Sequence, residues 1–179
     1  MNGFGGALEQ GIDPVWREAW RLAWPRPFDT PVRRATAEFE SDPALIYAVM
    51  REESTYRPHA ASAAGAMGLM QIIPKTGDRI ASSLGVPGFQ ADILLEPDTN
   101  IRFGTFYLKR LIGRFRGSEV LAIAAYNAGP SVVTRWLKRD GRLAPDVFVE
   151  SVPYGETRRY VRRVVRSQRV YRLLYDDRP

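Results

Sequence analysis

The fold is decided by residues 42–54, which read DPALIYAVMREES. Asp42 followed by Pro43 is typical of a helix start, because the aspartate oxygen accepts an unpaired backbone N–H and proline has none to leave unpaired. At about 100° per residue, the apolar side chains of this segment fall on one face of the helix, which we expect to be buried. Glu53 lies near the centre of that face, and Glu52 lies about a quarter-turn away from it.

The carboxyl of Glu53 has two interpretations. Burial of a carboxylate without partners costs several kcal/mol and usually raises its pKa. A protonated carboxyl in a mostly apolar cleft is what a general acid requires at neutral pH. The alternative is that Glu53 forms an ordinary ion pair with an arginine. The helix alone favours the ion pair, and the motifs further along the chain reverse that preference.

Composition restricts the class of protein. The 179 residues are 45% hydrophobic and 26% charged, which suits one compact domain with a substantial core. The formal net charge is +6, nearly all of its cations are arginines, and an anionic partner is therefore expected. The absence of cysteine leaves the redox compartment open.

The longest apolar run, residues 120–126, is far too short to span a bilayer. Residues 1–10 lack a secretory signal, so the chain either stays inside the cell or is a piece of a longer precursor.

Hydrophobic periodicity predicts a mainly α single domain with at most one small β element near its cleft. We expect residues 1–11 to be a disordered lead-in and residues 12–179 to form the domain. Besides the helix that follows Asp42, the predicted helices cover residues 13–23, 32–39, 75–84, 101–115, 119–128, 131–139 and 156–175. Residues 69–73 are predicted to form a short strand and residues 86–100 a loop.

Residues 59–74 are rich in alanine and glycine, which lets the backbone pass close to a neighbouring helix or to a ligand. His59, the only histidine, has no cluster of metal ligands or nucleophile beside it, and we place it at the surface. The chain contains no phosphate-binding loop, dinucleotide fingerprint or internal repeat. Neither a metal nor a cofactor is expected.

Five segments, taken together and in this order, resemble the catalytic domain of the soluble lytic transglycosylases of bacterial cell walls, a domain similar to goose-type lysozyme. The segments are REES at 51–54, GAMGLMQIIP at 65–74, PDTNI at 97–101, AYNAGP at 125–130 and FVESVPYGETR at 148–158. The resemblance covers nearly the whole chain. It implies a lysozyme-like fold, a substrate of peptidoglycan glycan strands with their stem peptides, a monomer, and work in the periplasm or cell envelope.

By this resemblance, the catalytic acid is the glutamate directly before serine, which is Glu53 and agrees with the helical wheel. Glu52 stands where many relatives carry glutamine, so it adds a charge beside Glu53. The resemblance also implies that six further residues line the cleft: Ser62, Met70, Gln71, Tyr126, Asn127 and Glu156.

The chemistry gives several of these side chains a reason to be in a sugar-binding cleft. Hydroxyls and amides hold the N-acetyl group and the sugar hydroxyls, and Tyr126 can stack on a pyranose ring or hydrogen-bond to it. Glu156 can bind the amino group of a stem peptide or can cap the last helix. Asn127 can be purely structural, because its segment is also a good helix terminator.

The resemblance implies cleavage between N-acetylmuramic acid and N-acetylglucosamine, with Glu53 first as acid and then as base and with no water consumed. A muramidase would make the same cut by hydrolysis if a second carboxylate such as Asp78, Glu96, Asp98 or Glu156 lay beside Glu53. A non-catalytic wall-binding module is a further alternative. The arginine-rich last helix also suggests nucleic-acid binding as an alternative function. However, this helix has an apolar seam and no recognition motif, so we do not expect a nucleic-acid partner.

Overall fold

The computed structural model describes residues 14–140, 148 and 152–176. Eight α-helices are found in this part of the chain: α1 Pro14–Ala23, α2 Asp29–Phe39, α3 Pro43–Ser54, α4 Pro74–Ser83, α5 Pro97–Arg114, α6 Glu119–Ala128, α7 Pro130–Asp140 and α8 Gly155–Tyr175. A short 3₁₀ helix, Ala91–Leu95, precedes α5. The predicted lead-in, residues 1–11, lies outside the described residues.

Helix α3 begins as the sequence predicts. An oxygen of Asp42 accepts a hydrogen bond from the backbone N–H of Ala44 at 2.9 Å, and Pro43 occupies the first turn. Burial of α3 is more complete than the helical wheel indicates, because every residue from 44 to 50 is buried. Helix α8 packs along one side of α3 and α2 packs against another. Arg51 points away from this core, and its guanidinium lies 4.0 Å from the ring centre of Trp24.

The core continues from α3 through α8 to α6, and from α6 through α5 to α2. Residues 122–125 of α6 are completely buried, so this helix lies at the centre of the core. The seam predicted for the last helix is Val161, Val164, Tyr171 and Tyr175 with Gln168 between them. The first three and Gln168 are buried, and Tyr175 is half-buried against the core. None of the described helices combines the length and the apolarity that crossing a bilayer requires.

The strand predicted for residues 69–73 is wrong. This segment is a series of tight turns, and its β character is limited to single bridges from Met67 to Ala61 and to Ile72. The backbone is left-handed at Gly68, where a Cβ atom would lie 2.2 Å from an amide atom of Asn100. A chain that reverses within so few residues has no extended stretch that a neighbouring strand could pair with. The prediction of at most a small β element still holds.

Two helix boundaries also differ from the prediction. Residues 86–100 are not a continuous loop, because they contain the 3₁₀ helix and the first turn of α5, which Pro97 starts. Helix α7 begins at Pro130 rather than at the predicted Ser131, and the N–H groups of Val132 and Val133 donate hydrogen bonds to the carbonyl of Gly129. In both places proline fills the first helical turn, where its missing N–H is not needed. The other predicted helices are confirmed with shifts of a few residues at their ends.

Candidate active site

Glu53 lies in the last turn of α3, and its carboxyl is held from α8. The hydroxyl of Tyr160 donates a hydrogen bond of 2.6 Å to Oε1 of Glu53. No described residue forms an ion pair with Glu53 or a hydrogen bond with its second oxygen. The side chain is largely enclosed by protein but retains partial exposure, so a ligand can reach it.

Burial raises the pKa of Glu53 to about 7. The hydrogen bond from Tyr160 lowers this pKa, the charge of Glu52 raises it, and the charge of Arg163 lowers it again, so that desolvation is the largest effect. A carboxyl with this pKa is present in both protonation states near neutral pH. It can therefore release a proton in one step and recover it in another.

Glu52 makes the ion pair that the sequence left open for Glu53. Its carboxylate accepts hydrogen bonds from Nε of Arg163 at 2.8 Å and from the hydroxyl of Ser167 at 2.9 Å. Glu52 and Glu53 have different partners because they are about a quarter-turn apart on α3. Glu52 points to the polar edge of α8, and Glu53 points to Tyr160. The adjacent pair of carboxyls therefore divides into one that forms an ion pair with Arg163 and one with a raised pKa.

Two buried tyrosine hydroxyls lie near Glu53. The hydroxyl of Tyr126 donates a hydrogen bond of 2.8 Å to the carbonyl of Met70. Burial raises the pKa of Tyr126 and of Tyr160 well above the ordinary value, and the Glu53 carboxylate raises both further. Both phenols therefore stay protonated and act as hydrogen-bond donors. Sequence reasoning missed Tyr160, although its position one turn before Val164 places it beside the apolar seam of α8.

The turn after α3 is held rigidly beneath Tyr126. Asn100, which sequence reasoning left without a role, bonds to the N–H of Met70 and to the carbonyls of Met67 and Leu94 at 2.7–2.9 Å. Met70 is fully buried, and its side chain packs so closely on Gly104 that a Cβ there would lie 2.3 Å from the sulfur. The side chain of Met70 thus does not reach the open surface, and its carbonyl positions Tyr126.

The remaining polar residues of the predicted site are exposed or half-buried. Nε2 of Gln71 donates to the carbonyl of Gly68 in its own turn at 2.9 Å and to the carbonyl of Ala60 at 3.0 Å, which fixes the direction of the amide. Ser62 is exposed, and its hydroxyl accepts a hydrogen bond from the backbone of the same turn at 3.0 Å. Asn127 is exposed at the end of α6, and its amide oxygen accepts a 2.7 Å hydrogen bond from the hydroxyl of Thr157. That bond joins the end of α6 to the start of α8.

Glu156 lies in the first turn of α8 and is exposed. It makes no hydrogen bond or ion pair with any described residue, and it precedes Tyr160 by four residues, so both lie on the same side of the helix. Within the described chain, Glu52 is the sole carboxylate whose charge raises the pKa of Glu53. Asp98 instead lies 3.7 Å from the guanidinium of Arg34.

The model of the family described as the Transglycosylase SLT domain matches residues 30–149. The soluble lytic murein transglycosylase of Escherichia coli K12 is 37% identical over 158 residues, which are 87% of this chain and 24% of that protein.

Two solved structures share this fold. An inactive glutamate-to-glutamine mutant of the lytic transglycosylase Slt from Pseudomonas aeruginosa is 37% identical over 85% of this chain and 25% of its own, with a TM-score of 0.80. The complex of a 70-kDa soluble lytic transglycosylase with bulgecin A is 35% identical over 92% of this chain and 27% of its own, with a TM-score of 0.84. The chain spans about a quarter of the length of these relatives. The predicted lysozyme-like, mainly α fold is thus confirmed, and the chain belongs to the Transglycosylase SLT domain family.

Proposed function

We propose that this chain is a lytic transglycosylase that cleaves the β-1,4 bond between N-acetylmuramic acid and N-acetylglucosamine in peptidoglycan. The products would be a free N-acetylglucosamine end and a 1,6-anhydromuramic end. The observation that carries the proposal is the enclosed carboxyl of Glu53, whose pKa is raised to about 7 in a chain of this family. The inactive glutamate-to-glutamine mutant of the Pseudomonas relative is consistent with an essential glutamate in such enzymes.

In the first step, protonated Glu53 donates its proton to the oxygen of the bond between the sugars, which then leaves with the N-acetylglucosamine. Positive charge develops at the anomeric carbon of the muramic acid, and the carbonyl of its own 2-acetamido group stabilises that charge. In the second step, the Glu53 carboxylate takes the proton of the 6-hydroxyl, whose oxygen closes onto the anomeric carbon. Glu53 is protonated again at the end, and no water is consumed.

The contacts of Glu53 fit these two roles. Because Tyr160 bonds to Oε1, the second carboxyl oxygen is the one that can carry the proton to the substrate. Tyr160 also stabilises the carboxylate formed after the first step, since its donor bond lowers the pKa of Glu53. A hydrogen bond to the ionised form is stronger than one to the neutral acid. Tyr160 is therefore a positioning residue that acts through Glu53.

Substrate contacts are assigned to the polar residues around this carboxyl. The exposed hydroxyl of Ser62 and the oriented amides of Gln71 and Asn127 offer donors and acceptors for the acetamido groups and hydroxyls of the strand. Tyr126, which is half-buried, is assigned to contact with a pyranose through its ring. Glu156, which has no partner among the described residues, is assigned to the amino group of a stem peptide rather than to helix capping.

A hydrolytic muramidase would need a second group to activate water. Within the described chain, the neighbouring carboxylate is Glu52, and its oxygens are taken by Arg163 and Ser167. That arrangement favours ring closure by the 6-hydroxyl over attack by water. We place the reaction in the cell envelope, in the periplasm, where peptidoglycan is found.

The proposal is tested by replacing Glu53 with glutamine and measuring the release of soluble muropeptides from purified sacculi. Glu38→Gln is the matched control, because Glu38 forms a surface ion pair with Arg102 instead of contacting the candidate site. We expect release by the wild type and by Glu38→Gln and none above background by Glu53→Gln, with circular dichroism showing that all three are folded. Release by Glu53→Gln at the wild-type rate would refute the assignment.

A further inference from the structure

A pocket lies between α4, α5 and the start of α7. Its volume is about 320 Å³. Its floor is apolar and is formed in part by the buried side chains of Ile80 and Leu111. Three arginines, Arg79, Arg110 and Arg114, surround this floor. The proposed reaction uses none of these residues.

The three guanidinium groups all act electrostatically on the hydroxyl of Tyr107 and lack acidic partners in the described chain. Burial raises the pKa of Tyr107, and the charges of Arg114, Arg79 and Arg110 each lower it, so all three lie near the Tyr107 hydroxyl. Arg110 donates a 3.2 Å hydrogen bond to the hydroxyl of Ser83, a neutral group. No described carboxylate forms an ion pair with any of the three. Three like charges around one cavity repel one another, and an anion that occupies the cavity relieves this repulsion.

The pocket is connected to the candidate catalytic residue through a pair of tyrosines. The ring of Tyr107 packs against the ring of Tyr126 with centroids 5.5 Å apart. Tyr126 in turn bonds to the turn beneath it and lies close enough to Glu53 for the two to affect each other electrostatically. The Tyr107–Tyr126 pair is therefore a wall between the pocket and the place where the sugar bond would be cut.

We infer that this pocket binds the carboxylates of the stem peptide carried by a muramic acid residue of the bound strand, an inference that rests on the proposed function. Sugar hydroxyls and acetamido groups are uncharged and give no reason for three guanidinium groups that have no carboxylate partner in the described part of the chain. Stem peptides carry several free carboxylates on short aliphatic chains, which match a cationic rim over an apolar floor. The proposed substrate contains no phosphate in its repeating unit, so carboxylates are the anions that it can supply.

The test compares two soluble glycan strands that carry uncrosslinked stem peptides. One strand is untreated, and in the other the peptide carboxylates are converted to methylamides, which keeps the peptide and removes its negative charge. kcat/KM is measured on both strands for the wild type, for the double variant Arg79→Gln/Arg114→Gln and for the control Arg166→Gln/Arg169→Gln. The control removes two exposed arginines from α8, away from the pocket.

For the wild type we expect kcat/KM on the untreated strand to exceed that on the methylamidated strand by about fivefold. This ratio corresponds to the combined contribution of two or three partly exposed ion pairs. The preference should fall to near one in Arg79→Gln/Arg114→Gln and persist in the control. Equal cleavage of both strands by the wild type, or a preference that survives in the pocket variant, would overturn the inference while leaving the proposed function intact. Failure of the wild type to cleave either strand would contradict the proposed function and, with it, this inference.

Discussion

Replacement of Glu53 by glutamine is expected to make the protein more stable at neutral pH. The pKa of Glu53 rises from its ordinary 4.5 to about 7 in the folded state, chiefly through burial. Folding therefore opposes ionisation of this group, and the cost is felt whenever the carboxyl is charged. Glutamine has nearly the same shape as the protonated acid, keeps an oxygen for the Tyr160 hydroxyl and carries no charge.

The magnitude and the pH window follow from the pKa shift. Each unit of pKa corresponds to about 1.4 kcal/mol, so the rise from 4.5 to about 7 amounts to about 3 kcal/mol. Below about pH 4.5 both folded and unfolded chains hold the proton, and Glu53 contributes no pH dependence. Between about pH 4.5 and 7 the folded chain retains a proton that the unfolded chain has released. The wild type therefore loses stability, relative to the variant, as pH rises through this window.

The assay is denaturant-induced unfolding of both proteins at pH values from about 4 to 8. The difference in unfolding free energy, variant minus wild type, should be smallest at the acid end, grow with pH and level off near pH 7 at about 3 kcal/mol in favour of the variant. Glu38→Gln should behave in the opposite way, because the hydrogen bond from Arg102 lowers the pKa of Glu38. Its stabilising contribution is present above about pH 4.5 and is lost in acid. A Glu53→Gln difference that is independent of pH, or that favours the wild type at the alkaline end, would refute the reasoning.

Three further changes and one control substitution test the surroundings of the site. Tyr160→Phe removes the donor that stabilises ionised Glu53, so the alkaline limb of the pH–rate profile should move to higher pH, and an unchanged limb would exclude this role. Glu52→Gln removes a negative charge that raises the same pKa, and the alkaline limb should move to lower pH when kcat/KM is followed across the neutral range. Gly104→Ala should lower the unfolding temperature, because the new methyl overlaps a buried methionine side chain. In the same helix, Gly113→Ala has open space and should add up to about 1 kcal/mol through helix propensity, so equal effects of the two alanines would contradict the packing.

The sequence predicted those features that depend on one helix at a time. Capping at Asp42, the buried apolar segment of α3 and the position of Glu53 all follow from local pattern, and the structure agrees with each. For Glu52 and Glu53, the sequence predicts only that the two side chains point in different directions from the helix axis. Their different partners come from α8, which is more than a hundred residues away along the chain.

Features that depend on contacts between distant segments could not be predicted from pattern. In the sequence, Tyr160 is indistinguishable from the other apolar residues of α8, and its role depends on the packing of α3 beside it. Asn100 likewise looks like an ordinary turn residue, and its role depends on the hydrogen bond that its amide makes with Met70. The strand predicted for residues 69–73 failed because left-handed residues such as Gly68 reverse the chain. The arginine pocket also joins separate helices, so no linear motif marks it.

The central claim is that one carboxyl, Glu53, both donates and recovers a proton while the sugar closes on itself. The most direct measurement is mass spectrometry of the products that the wild type releases from purified sacculi in water enriched in heavy oxygen. The account predicts products with 1,6-anhydromuramic ends, lighter by one water than hydrolysed products and free of the heavy isotope. Reducing muramic ends that contain heavy oxygen as soon as they are released would show that water attacks the anomeric carbon, and would contradict the account.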